Sequence, residues 1–134
     1  MSLFLKETSF CNYLKEKFPF EVFKEGHNLI SVNTIRMTAI MSCLYIDENR
    51  IVVAKYNRQL ELFTEHLLIR RTQIAEYHMK KKGMNYLIEL TLTEKLPSGK
   101  PMQLLLNVSS MTGAKWHRSN LKNMLASGLF EGLT

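Results

Sequence analysis

The stretch from Met84 to Val108 constrains the fold of this chain more than any other. Met84, Tyr86, Ile88, Leu90 and Leu92 alternate with Asn85, Glu89, Thr91 and Thr93. After Pro97-Ser98-Gly99, Met102, Leu104, Leu106 and Val108 alternate with Gln103, Asn107 and Ser109. Period-two patterning on both sides of a Pro/Gly turn specifies an antiparallel hairpin with one buried face. A slip of one residue would turn the large apolar side chains to water, so the register is fixed.

The same period runs upstream. Ile35, Met37, Ala39, Met41, Cys43 and Tyr45 alternate, while Leu44 and Ile46 make the far end of that strand apolar on both faces. Asp47-Glu48-Asn49-Arg50 is a polar turn, and the β-branched run from Ile51 to Tyr56 is the return strand. Leu60, Leu62, Leu67 and Ile69 predict one or two short strands, and Thr72 to Lys81 a further strand with Ala75, Tyr77 and Met79 on one face. The expected sheet core includes Leu44, Ile51, Val53, Tyr86, Ile88, Leu90, Leu104 and Leu106.

Helical spacing appears only at the two ends. Leu3, Phe4, Phe10, Cys11, Leu14 and Phe18 share one face of a helix expected from Ser2 to Lys17, ended by Pro19, with Glu7 intruding on the apolar stripe. Six apolar positions on one face are too many to leave in water. The helix therefore docks on its own domain or on a partner, through Phe4, Phe10, Leu14 and Phe18. His117, Leu121, Met124, Leu125 and Leu129 define a second helix over 113–130, with Thr112 as N-cap and Gly128 or Gly132 near its end. Strands that follow one another without crossover helices imply an α+β, mainly β, chain of about seven antiparallel strands over 28–109. The 134 residues suit a single domain that buries roughly two-thirds of its unfolded surface.

Cys11 and Cys43 both sit among apolar residues, which argues against a disulfide framework and for a reducing, cytoplasmic setting. No run of about 18 apolar residues could span a membrane, and Lys6 and Glu7 interrupt any signal-like start. The net charge of +6 is placed unevenly. Residues 1–69 hold eight Lys/Arg and eight Asp/Glu, whereas residues 70–134 hold ten against four. Such asymmetry permits an acidic partner.

The segment Met41-Ser42-Cys43-Leu44-Tyr45-Ile46-Asp47-Glu48-Asn49-Arg50-Ile51-Val52-Val53 resembles the second-to-third strand hairpin of bacterial pleckstrin-homology-like (PH-like) and GRAM-type domains. Leu67 to Tyr77 is similar to that family's next conserved segment, and a hairpin and a terminal helix follow in both. The resemblance covers about residues 29–129 and leaves the first helix outside. It implies a seven-stranded antiparallel barrel closed at one end by the last helix. The basic residues of the family's lipid site usually lie between the first two strands. This chain offers only Arg36 and His27 there, so that site does not carry over.

No catalytic pattern emerges. His27, His66, His78 and His117 share no metal-ligand spacing and read as surface or partly packed histidines. Gly26, Gly83, Gly99 and Gly113 are isolated turn glycines rather than a phosphate loop. No cofactor and no metal are expected. Lys80-Lys81-Lys82 is the one local basic cluster, and with Arg70 and Arg71 it forms the candidate anion-binding set. Tyr77 and Tyr86 fall on apolar strand faces, which speaks against nucleic acid. The expected function is a non-enzymatic binding module acting by protein contact or self-association. The alternative is a peripheral binder of anionic lipid or another phosphate-bearing ligand, and the third an enzyme with an unrecognised site.

Overall fold

The alternating segments become strands in the structure, a computed structural model that describes residues 5–35, 38–109 and 114–127. Helix α1 (Glu7–Lys17) leads into β1 (Asn28–Ile35), β2 (Thr38–Ile46), β3 (Arg50–Asn57) and β4 (Leu62–Arg70). A single 3-10 turn, Arg71–Gln73, then leads to β5 (Ile74–Lys82), β6 (Asn85–Lys95), β7 (Pro101–Ser109) and α2 (Lys115–Ala126). Among the described residues the seven strands form one antiparallel sheet in the order β4-β3-β2-β1-β7-β6-β5.

The sheet is not closed into the expected barrel. β4 and β5 are its two edges, and each edge is distorted. The β3–β4 register shifts between Val53 and Lys55, where Glu65 takes a φ of 50°, and the β5–β6 register shifts between Ile74 and Glu76. Bulges of this kind twist an edge away from further pairing. Leu60 to Ile69 yields one strand, bulged, within the expectation of one or two, whereas Ala75 is exposed rather than inward with Tyr77 and Met79, which corrects that expectation.

The hairpin register is as the alternation requires, with Ile88 opposite Leu106 and Leu90 opposite Leu104. Their inward face joins Leu29, Leu44, Ile46, Ile51 and Ile69, with Leu121 and Met124 of α2 laid over it. Val53, Tyr86 and Leu104 are partly buried against that core. Each large aliphatic side chain so buried contributes about 1.5–3 kcal/mol. The outward residues of the first half-sheet, Ile30, Cys43, Tyr45, Val52 and Ala54, form a second core with Phe10 and Leu14 of α1. The first helix therefore docks on its own sheet, which explains why β2 is apolar on both faces. Phe18 is partly buried there, its ring 5.3 Å from His66 and 6.2 Å from Phe23. Phe4 lies outside the described residues.

Two elements start later than the spacing predicts. Lys6 is extended, so α1 begins at Glu7 rather than near Ser2. The backbone just before it is engaged elsewhere, because the Leu5 carbonyl accepts a hydrogen bond from Trp116 Nε1 at 3.0 Å. α2 begins at Lys115 with Ala114 at the N-cap and runs to Ala126. Thr112, Gly128 and Gly132 lie outside the described residues.

Polar groups join the layers. Glu7 Oε2 accepts hydrogen bonds from the Gly26 N–H at 2.7 Å, from Asn28 Nδ2 at 2.7 Å and from Asn120 Nδ2 at 2.8 Å. A carboxylate on the apolar stripe of α1 thus ties that helix to β1 and α2. His117 is fully buried, contrary to the expectation of a surface or partly packed ring. Its Nδ1 accepts the Ile30 N–H at 2.8 Å, so Nε2 carries the proton, donated to the Ser109 carbonyl at 2.6 Å. Burial holds this imidazole below its ordinary pKa of 6.5, against the opposing pull of the Ser109 carbonyl.

Two outcomes follow for stability. Glu7→Ala removes an acceptor shared by two buried amides, leaving Asn28 Nδ2 with Cys11 Sγ and Asn120 Nδ2 with the Asn28 carbonyl, and should cost about 1–3 kcal/mol in urea unfolding. Below pH 6.5 the unfolded chain protonates His117 while the folded chain resists, so the unfolded state binds more protons. Stability should hold above that pH and fall as acid is added, by up to about 1.4 kcal/mol per pH unit for this group. Urea midpoints between pH 7.5 and 5.5 check it, and His117→Gln should flatten the slope at the cost of a lower plateau.

Candidate functional site

α2 carries no acidic residue, and its exposed side chains include Lys115, Arg118 and Lys122. At about 100° per residue these three fall within about 60° of one another. Trp116 points along the other flank, toward the backbone ahead of α1. The cationic flank is therefore turned away from α1. Asn85 at the start of β6 pairs with Ser109, the last residue of β7, and α2 begins six residues later. The lysine-bearing tip of the β5–β6 hairpin thus lies at the end of the sheet from which α2 starts.

Within that tip Lys80, Lys81 and Lys82 are exposed, beside an exposed Met84. Lys80 Nζ lies 3.8 Å from Glu89, and Lys81 Nζ sits 5.8 Å from the centre of the Tyr86 ring. Exposed pairs of this sort are weak and screened by salt. The position of the helix cations is unusual. Lys115 and Arg118 occupy the first turns of α2, where the helix dipole already presents positive charge. α1 does the reverse, with Glu7 first and Lys15 and Lys17 last. Cations at a helix N-terminus cost about 0.3–1 kcal/mol each and create a site that favours anions.

Arg70 and Arg71 are not brought to this surface. They stand at the end of β4 beside the β2–β3 turn, and Lys80 follows the 3-10 turn by most of β5, about 20 Å of strand. Arg70 Nη2 pairs with Glu21, and Arg71 Nη1 donates to the Glu48 carbonyl at 2.6 Å. The hydrogen bond from Arg70 is the main reason the Glu21 carboxyl is held below its usual range.

Arg50 organises this second region. It is buried, its guanidinium 4.4 Å from the centre of the Phe23 ring, and it bonds Asp47 at 3.1 Å, Glu21 at 2.6 Å and the Val22 carbonyl. The connector between α1 and β1 is thereby clamped to the β2–β3 turn. Beside the clamp opens a recess of about 730 Å³, lined among others by Val22, Lys24, Tyr45, Glu48 and Met124. His27 edges it, with Nδ1 directed at the Ile46 carbonyl at 3.0 Å.

Lys115, Arg118 and Lys122 stand at i, i+3 and i+7, a helical stripe that was legible. The recess depends on how the connector crosses the β2–β3 turn, and no local pattern encodes that. Burial pushes the Cys11 and Cys43 thiols up, so both behave as packing groups. Among the described residues no group of His, Cys, Asp and Glu is placed to hold a metal ion, and no helix is long and apolar enough to cross a membrane. No protein-family model and no curated protein matches the chain.

The clamp has a measurable consequence. Arg50→Ala leaves Glu21 and Asp47 without their buried partner and should cost about 3–5 kcal/mol, whereas Arg71→Ala, on the surface, should cost under about 1 kcal/mol. Chemical denaturation of the two variants compares them directly.

Proposed function

We propose that this chain is a non-enzymatic binding module of PH-like architecture that engages a phosphate-bearing anionic partner through the outer face of α2 and the β5–β6 tip. The strand order, with four strands and then three before a terminal helix laid on the inner face, supports the architectural part. The observation that carries the functional part is the acid-free cationic face of α2, with Lys115 and Arg118 kept where the helix dipole opposes them. Helix stability would favour acidic residues there. Recognition of an anion favours what is present.

Protein contact, the other reading, is favoured by a separate observation, the exposed Phe20 beside the recess. The set Arg70 and Arg71 plays the lesser part in anion binding, because both are engaged with the connector and the β2–β3 turn.

The test is binding to phosphatidylcholine vesicles with and without phosphatidylserine, and to RNA and DNA oligomers, at about 0.15 M salt. Wild type should bind at least one anionic probe and ignore neutral vesicles. Lys115/Arg118/Lys122→Ser should weaken binding by about 3 kcal/mol, a hundredfold, and Lys80/Lys81/Lys82→Ser should weaken it comparably. Arg71→Ser should change it little. Wild type that binds no anion, or a helix triple variant that binds unchanged, overturns the proposal.

A further inference from the structure

We infer that the patch around Phe20 joins two copies of this chain, each Phe20 ring seated in the recess of the other. The inference rests on observations separate from the cationic face. Pro19 and Phe20 are the central residues of a turn closed by the Glu21 N–H on the Phe18 carbonyl at 3.0 Å. Beyond the turn the connector alternates. Glu21 is held by Arg50 and Arg70, Phe23 is buried against Tyr45, and Phe20 and Val22 point outward. Phe20 is 100% exposed and Val22 is 67% exposed. A large ring in water at the tip of a Pro turn, fixed on both sides, is a preorganised knob, and rigid aromatic anchors dominate protein interfaces.

The hole lies on the same patch. Val22 is two residues from Phe20 and lines the recess as its most exposed apolar side chain, with Tyr45 and Met124 beneath and polar groups around them. Its volume of about 730 Å³ amply holds a phenyl ring. A knob and a hole side by side on one surface are what a two-fold, self-complementary interface requires. The charges agree. The rim carries Lys24 and Glu48, with Asp47 already held by Arg50, so a two-fold pairing can bring Lys24 of each copy toward Glu48 of the other. The cationic face of α2 has one sign only and repels its own copy, whereas Phe20 is the most exposed large apolar side chain of the described residues.

Sedimentation velocity on the full chain, from low to high micromolar concentration, tests this. Wild type should pass from monomer to dimer. Phe20→Ser removes the knob, and Asn123→Trp, at an exposed position of α2 on the recess, fills the hole. Each should raise the dimer dissociation constant at least about tenfold, with an unchanged melting temperature at the low concentration where wild type is itself monomeric. Wild type that stays monomeric throughout overturns the inference, as does a dimer that either variant leaves intact. Anion binding by a monomeric wild type would sink this inference alone.

Discussion

The imidazole of His117 holds the two halves of the sheet together. Among the described residues β1 and β7 share a single backbone pairing, Ser31 with Val108, so the ladder nearly lapses where the four-stranded half meets the three-stranded half. His117 spans the gap, one ring nitrogen on β1 and the other on the last residue of β7. Side-chain amides do the same further along. Asn33 Nδ2 donates to the Leu105 carbonyl, Asn107 Nδ2 to the Val32 carbonyl, and the Asn107 N–H to Asn33 Oδ1. A buried backbone N–H must find a partner. Here the partners come from side chains, which stand in for the missing ladder.

Because His117 belongs to α2, the junction also fixes the helix that bears the cationic face. Asn120, one turn further along α2, bonds both the Asn28 carbonyl and Glu7. The same few groups therefore set the position of α1, β1 and α2 together. Buried polar networks of this kind specify a unique arrangement more than they add raw stability, and here the Asn28 Oδ1 atom stays without a hydrogen-bond partner. The clamp at Arg50 works similarly on the other side of β2. It uses one guanidinium to hold a connector that has no ladder of its own, and the recess is the space left beside it.

Much of this was legible in the sequence where burial repeats with a short period. The β6–β7 register, the β2–β3 turn and the apolar face of α1 follow from alternation or helical spacing, because one buried face leaves little choice of phase. The asymmetry of apolar content in β2 was also visible, yet its cause was not, since α1 lies outside the pattern that announces a sheet. Glu7 looked like a blemish on the stripe because its three donors come from Gly26, Asn28 and Asn120, up to 113 residues away. His117 was misread for the same reason. Its partners, Ile30 and Ser109, are backbone groups that no residue type reveals. The bulges that keep the sheet open leave no mark in composition either.

Charge divides the surface into two kinds of patch, and the division follows from the helices. α1 is matched to its dipole and spends its apolar face on the chain's own sheet, so nothing about it asks for a partner. α2 is matched on its inner face and mismatched on its outer one. Its first turns add Lys115 and Arg118 to an end that already carries partial positive charge, where an anion would be favoured. Around Phe20 the logic is different, because cations and carboxylates alternate within a few residues and most are already paired. There the unsatisfied element is apolar, a single ring in water. The first deficit is one of charge and the second one of apolar contact, and what would relieve the one does not relieve the other.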